Sequence, residues 1–468
     1  MNTIKNTPEQ HNDATRKPGR KRVNRRTILK TGLLGAGGAL LAYQAYDFAR
    51  DSRARAKVVV VGGGSAGITM VARLQAMLHH PDITLIEPNA VHHYQPGYTL
   101  IAGNEFKPQE ILMPEADLIP SRVKWLQDRV IELDPDHNAL RTAANGRITY
   151  DFLVMVPGLQ LNFDLVEGID RASLGQGNAH CIYDFDGSIR CRDAILEASQ
   201  KGAGRLVFTN TYTKVKCGGA PKKICLLAEE SMQKTGARER FSIDFYSNST
   251  NLMTPKVFGD KLAEIYAERD IRTHFLHRLK GIDTQIKEAV FEQIPAASLA
   301  PTPAGANYPE VKVSYDFLHF LPPMSAPDFV RDSPLPIMEG SLRHGAWIDV
   351  DKHTMVHKRY ANIISLGDCA GLPTSKTGAA IRMQAPIAAA NLISLMEGKA
   401  PARHYNGYTA CPIITERGKV LMCEFKYDKE LDPTIPFLDP SVDRGMWWVL
   451  KRHGLKPMYY HGMLRGRI

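Results

Sequence analysis

No C-x-x-C-H segment occurs anywhere in the chain, so any haem would have to come from a partner. RNP-like and zinc-finger spacings are absent too, and a formal charge of +10 over 468 residues therefore does not point to nucleic acid. The basic residues crowd the N-terminus (Lys17, Arg20, Lys21, Arg22, Arg25, Arg26) and recur near the C-terminus, which suits an anionic membrane surface better. His92 and His93 lack metal-ligand spacing and read as structural; no metal site is expected. A bilayer-spanning helix needs about 20 apolar residues. The N-terminal run TGLLGAGGALLAYQA, residues 31–45, falls short of that and is weakened by its glycines. What is present is globular: 44% hydrophobic and 23% charged residues, over a length that suits two or three domains and a large core.

Just before that run, residues 24–30 read NRRTILK, a twin arginine closed by a lysine. Charge, motif and weak hydrophobicity stand in the order of a twin-arginine (Tat) export signal, which this segment resembles. Residues 1–56 are thus expected to be signal and linker, with ARA at residues 54–56 as a candidate cleavage site. Tat export moves folded proteins, so a cofactor inserted before translocation is expected. The catalytic part would then lie on the periplasmic side, peripherally attached to the membrane.

KVVVVGGGSAG, residues 57–67, is a β-branched strand running into G-x-G-x-x-G at Gly62, Gly64 and Gly67, with the small Ser65 and Ala66 between them. Small residues let the backbone turn sharply and approach a pyrophosphate, whose charge meets the N–H groups of the helix that follows. A second strand, ITLIE, places Glu87 20 residues after Gly67, at the spacing of a carboxylate that accepts from a ribose hydroxyl. Farther on, ANIISLGDCAGLPTSKTGAAIRMQAPIAAANLISLM supplies a strand, Gly367 and Asp368, then a small-residue helix. In flavoproteins with two dinucleotide domains, such an aspartate holds the ribityl chain. The helix N-terminus behind it would stabilise negative charge on the reduced ring, and FAD is the expected ligand.

Between these halves the chain alternates strand and helix from RLVFTN, residues 205–210, to IRTHFLH, residues 271–277, as a second nucleotide-binding unit inserted in the first would. Its first loop, TYTKVKCGGAP, lacks G-x-G-x-x-G, and Pro221 stiffens it. Cys217 stands there among Lys214, Lys216, Lys222 and Lys223, and positive charge with a helix N-terminus favours its thiolate. The electron donor is therefore expected to react with sulfur instead of passing hydride from a nicotinamide. Among the six other cysteines Cys411 is the strongest candidate partner; Cys369, Cys225 and Cys423 read as core, and Cys181 and Cys191 could pair with each other.

With KCGGAPKK, SLGDCAGLPTSKTGAA and YNGYTACPIITERGKVLMCEF as its most specific blocks, the chain from about Lys57 to Asp432 resembles the sulfide:quinone oxidoreductases, especially the type that includes the mitochondrial enzymes. HYQPGYTLIAG and LPPMSAPD look like further family segments. The resemblance implies an α/β fold of two Rossmann-like domains, glutathione-reductase-like. Its FAD-binding parts would span residues 57–178 and 346–398, the second domain 179–345, and a C-terminal segment with an amphipathic tail 399–468. It makes Cys217 and Cys411 the redox pair. Sulfide attacks the oxidised pair, leaving a persulfide on one sulfur and a thiolate on the other; by the family pattern the thiolate is on Cys411 and forms an adduct with FAD.

Gly62, Gly64, Ser65, Ala66, Gly67, Glu87, Gly367, Asp368 and Lys376 are the expected cofactor-binding residues. Lys376 would polarise the flavin or quinone edge, or stand as a surface lysine at a helix start. Implied partners are sulfide, a membrane quinone, a sulfane-sulfur acceptor and the membrane surface; a homo-oligomer is compatible with the chain. The tail DRGMWWVLKRHGLKPMYYHGMLRGRI interleaves Trp447, Trp448, Tyr459 and Tyr460 with Arg444, Lys451, Arg452, Lys456 and Arg465, as an interfacial segment would. Two alternatives share the fold: a flavocytochrome c sulfide dehydrogenase flavoprotein and a type II NADH dehydrogenase, the latter requiring a glycine-rich second loop.

Overall fold

A computed structural model describes residues 52–296 and 307–468; the twin-arginine motif and the apolar run behind it lie outside the described residues. The valines of strand β1 (Lys57–Val61) are buried on both faces, as the centre of a parallel sheet demands. Helix α1 (Ser65–Met77) leads back to β2 (Asp82–Ile86), and β3 (Val123–Leu126) and β4 (Phe152–Met155) follow. Next come β5 (Ala179–His180), α2 (Phe185–Lys201), β6 (Gly204–Thr209), α3 (Ala220–Lys234), β7 (Phe241–Ser247), α4 (Lys256–Glu268), β8 (Ile271–Phe275) and β9 (Phe317–His319). The chain then returns through β10 (Ile363–Ser365) and α5 (Gly378–Met396) to the hairpin β11 (Thr409–Glu416) and β12 (Lys419–Phe425).

Two five-stranded sheets result, in the orders β10-β4-β1-β2-β3 and β5-β9-β6-β7-β8, and every pairing in both is parallel. The last strand of the first sheet is thus supplied only after the second sheet is complete. Helix α5 is long and apolar enough to cross a membrane, but Ala385, Ala388, Ala389 and Leu392 are fully buried and it packs on α1. Its start is fixed by Thr377, whose Oγ1 accepts from the Ala380 N–H at 3.1 Å, a cap worth about 1 kcal/mol.

The hairpin joins the two cores. Along β11 the side chains alternate: Ala410 and Ile414 belong to the core around the first sheet, Cys411 and Ile413 to the core around the second. A period of two does this, because successive residues of a strand face opposite ways. Cys411 is thereby aimed at the β6–α3 loop.

Candidate active site

Cys217 sits in that loop with φ of +50°, a left-handed conformation that costs an L-residue roughly 1–2 kcal/mol. Its neighbours hold it there. The Cys217 N–H donates to the Lys376 carbonyl (2.8 Å), and the Cys217 carbonyl accepts from the Ala220 N–H (2.8 Å) and the Tyr183 hydroxyl (3.0 Å). The bond to Lys376 ties the second-sheet loop to the turn after β10.

The two sulfurs, 194 positions apart in sequence, lie 3.8 Å from each other. Their approach depends on Gly219: a Cβ there would come within 2.6 Å of Cys411 Sγ and also strike Ile413. Lys223, 1% exposed on α3, donates from Nζ to Cys217 Sγ at 3.2 Å. The hydrogen bond from Cys411 first, then the charges of Lys223 and Lys451, hold the Cys217 thiol well below its ordinary range. Cys411 is displaced the other way, by that same hydrogen bond and by burial. In the reduced pair the lower thiol pKa thus falls on Cys217, the sulfur that Lys223 contacts.

Of the four lysines flanking Cys217 in sequence, only Lys223 touches the sulfur. Lys222 turns away to the Gly218 carbonyl (3.0 Å) and lies over the Phe245 ring, Lys216 donates to Gln95 Oε1 (2.8 Å), and Lys214 is exposed. Lys451, from the C-terminal tail, is buried, and burial lowers it to about 8. Sequence spacing gave no sign of its role, since 234 residues separate it from Cys217.

A cleft of about 470 Å³ opens at the carboxyl ends of β6 and β7, where open α/β sheets take their ligands. Asn210, Thr213, Lys214, Asn248 and Trp347 line it, with Cys411 in its wall at 3% exposure and the half-buried Cys217 beside the lining Gly218. Cys423 faces the same core as Cys411, directly opposite it across the hairpin. Cys181 and Cys191 are both free and fully buried, so the pairing considered for them is not formed. Cys369 is likewise core, its thiol pushed up to about 12 by burial.

Gly62 has φ of +104°, and a side chain at Gly67 would run into the Gly62 carbonyl, so the loop requires glycine at both positions. At Gly64 a Cβ would meet nothing within 4 Å, and α1 begins there without a side-chain cap, leaving its N–H groups free to meet an anion. Ser65 and Ala66 form the first turn. Glu87 ends β2 buried; its Oε2 accepts from the Gly63 N–H at 2.6 Å and its Oε1 from Asn89. Across the site, Gly367 (φ +72°) turns the chain, and the Asp368 carboxylate, its pKa raised by burial, accepts no hydrogen bond from a described residue. This loop, cradle and unpartnered carboxylate fit FAD.

Lys376 is not on the surface. It is 7% exposed, with Nζ donating to the carbonyls of Asp368 (2.6 Å) and Ala370 (3.0 Å) and 3.8 Å from the Trp347 ring centroid. The tail also departs from expectation. Tyr459 and Tyr460 point inward against His92 and Tyr94, and Met463 and Leu464 are buried, because the tail packs onto α1. Its exposed apolar residues are Met446, Val449 and Met458, with Phe437 just before it.

Residues 56–190 match the family model described as pyridine nucleotide-disulphide oxidoreductase. The chain is 35% identical over 411 residues to a mitochondrial sulfide:quinone oxidoreductase of Mus musculus, covering 88% of this chain and 86% of that protein. It is 36% identical over 412 residues to a namesake from Dictyostelium discoideum, with the same coverage. The crystallographic structure of the sulfide:quinone oxidoreductase of Aquifex aeolicus superposes with a TM-score of 0.69 at 19% identity, over 90% of this chain and 92% of that one, a likeness of fold.

Proposed function

Since the chain belongs to the sulfide:quinone oxidoreductases, we propose that it oxidises sulfide to sulfane sulfur at the Cys217–Cys411 pair and passes the two electrons to quinone. The 3.8 Å sulfur-to-sulfur approach carries this reading, with an ammonium bound to one sulfur and an open cleft at the other.

With the pair oxidised, hydrosulfide enters the cleft and attacks Cys411 Sγ, the sulfur that lines it. The disulfide bond breaks, Cys411 becomes a persulfide, and the electron pair of the broken bond leaves on Cys217. A disulfide expels its more acidic sulfur faster, and Lys223 and Lys451 make Cys217 that sulfur. A nucleophilic acceptor next takes the outer sulfur and leaves Cys411 as a thiolate. Lys223, already paired with Cys217, then balances part of the second charge. FAD, when bound, would supply the two-electron acceptor needed for the disulfide to re-form and the donor for quinone. Asp368 and the Gly62–Gly67 loop hold that cofactor, and Lys376 braces the Asp368 turn.

The loop around Cys217 supports this reading over a type II NADH dehydrogenase, because it offers a thiol and Pro221 where nicotinamide phosphates require glycine-rich backbone. A flavocytochrome c partner is disfavoured by the tail, whose exposed Met446, Val449 and Met458 suit a membrane face. We place the catalytic part at the periplasmic membrane surface on the strength of NRRTILK, although the mouse and Dictyostelium relatives are named mitochondrial. Replacing both arginines, Arg25 and Arg26, by lysine would strand the protein in the cytoplasm if that export is used.

The decisive experiment is anaerobic reduction of the bound flavin by sulfide against NADH, followed by reoxidation with decylubiquinone or cytochrome c. Bleaching by sulfide and reoxidation by the quinone are expected. Comparable bleaching by NADH would favour the dehydrogenase, and preference for cytochrome c the flavocytochrome.

A further inference from the structure

Tyr459 of the C-terminal tail is buried with its hydroxyl 2.7 Å from Ser65 Oγ, in the first turn of the phosphate loop helix, and 2.6 Å from His92 Nε2. His92 Nδ1 lies 3.0 Å from Glu115 Oε2. Glu115 is 2% exposed and its Oε1 is buried with no hydrogen-bond partner among the described residues, packed against Gly63 of the same loop. Four side chains from four separate parts of the sequence thus form one continuous chain that ends at the site of the pyrophosphate.

The direction of the protons along this chain follows from Glu115. A carboxylate with an unpartnered buried oxygen is far costlier than a neutral acid in the same place. Burial first, then the neighbouring Glu87, raises the Glu115 pKa against the opposing pull of His92. The unpartnered Oε1 fits a neutral Glu115 that donates to His92 Nδ1, which puts the His92 proton on Nε2, pointing at the Tyr459 oxygen. Tyr459 must then donate to Ser65 Oγ, which leaves the Ser65 hydroxyl proton free. With an ionised Glu115 every bond reverses and Ser65 would spend its proton on Tyr459.

We propose, resting on the FAD reading above, that Glu115, His92 and Tyr459 are positioning residues that orient the Ser65 hydroxyl as a donor to the cofactor pyrophosphate, making the C-terminal tail a cofactor-retention element. The tail's tyrosine does for this loop what the helix N–H groups do alone elsewhere: it adds a donor to an anion. Tyr460, donating to the Ile111 carbonyl at 3.1 Å, fixes the tail so that Tyr459 cannot swing out.

The test is FAD titration into apoprotein prepared from the holoenzyme, read by quenching of flavin fluorescence, with thermal melting of each apoprotein alongside. Tyr459→Phe and Ser65→Ala should each weaken FAD roughly ten-fold or more, the size of one hydrogen bond to a charged group, and the double variant should be no weaker than Ser65→Ala alone. Glu115→Gln, a neutral residue that still donates to His92, should keep wild-type affinity. Unchanged affinity in Tyr459→Phe, or a loss that adds in full to that of Ser65→Ala, overturns the proposal, as does a ten-fold loss in Glu115→Gln with unchanged melting. Failure of wild-type apoprotein to take up FAD at all would sink the cofactor reading instead.

Discussion

Lys223 Nζ lies 3.2 Å from Cys217 Sγ, although the lysine has only 1% of its surface exposed. A buried ammonium needs a counter-charge, and among the described residues the only group hydrogen-bonded to it is this sulfur. Burial opposes the charge on Lys223, yet the two sulfurs, Cys217 foremost, raise its pKa above the ordinary value. Each partner thus maintains the ionisation of the other. Replacing Lys223 by Met should raise the Cys217 pKa by one unit or more, about 1.4 kcal/mol per unit. Alkylation by iodoacetamide, followed against pH, should show the midpoint moving up, and sulfide-dependent flavin reduction should slow because a less acidic thiol leaves less readily.

The two cysteines should fail in different ways. Cys217→Ser and Cys411→Ser are both expected to lose sulfide bleaching. In the reduced state, however, Cys411→Ser should retain a thiol that alkylates at lower pH than an ordinary cysteine, while Cys217→Ser should leave Cys411 far less reactive there, since burial keeps it protonated. The reverse pattern would return the charge to Cys411.

Gly219→Ala is expected to separate the pair without touching the cofactor site. The added Cβ, 2.6 Å from Cys411 Sγ, must displace that sulfur or Ile413. FAD content and melting temperature should stay near wild type while sulfide reduction drops about ten-fold or more, in keeping with the cost of small misplacements at reacting centres. Mass mapping of the oxidised protein should show less of the linked peptide.

His180 and His319 stand side by side on β5 and β9, buried with no ring nitrogen hydrogen-bonded to a described residue, and burial depresses them to about 4 and about 3. A histidine whose folded pKa is depressed takes up its proton more readily when unfolded. Its contribution is complete above the unfolded value near 6.5 and is lost as pH falls from there toward the folded values. Each should cost about 2 kcal/mol by pH 5. The fall in melting temperature between pH 6.5 and 4.5 should be visibly shallower in His180→Phe, whose ring can keep the stack on Phe317.

Membrane attachment is expected to rest on Met446, Val449 and Met458. Converting the three to serine should abolish sedimentation with vesicles of anionic lipid and quinone reduction in them, while sulfide still bleaches the flavin in solution. Unchanged sedimentation would move the anchor elsewhere.

Much of the fold was readable residue by residue. β1 and α1 announce themselves by a valine run, three glycines and a helical period, and the returning strand with Gly367 and Asp368 closes the same unit. The loop that replaces a glycine fingerprint by Cys217 also pointed to sulfur chemistry. The lysines misled, because adjacency in sequence says little about which side of a loop a flexible side chain takes. The tail was legible only in part: an aromatic and basic pattern suits both an interface and a packed strap, and the contacts of Tyr459 and Tyr460 with His92 and Tyr94 show that these two rings pack while Met446, Val449 and Met458 stay exposed.

The order of residues by itself determined two parallel sheets, a dinucleotide loop and the presence of seven thiols, since strand period, glycine conformation and chemical identity are local properties. Tertiary structure alone decided that Cys217 and Cys411 meet, that Lys223 is the lysine on the Cys217 sulfur, and that Lys451 is buried near the pair and Tyr459 against the phosphate loop. Those outcomes depend on separations of a few ångströms between groups hundreds of positions apart, and neither Coulomb energy nor packing is defined until the chain has brought them together.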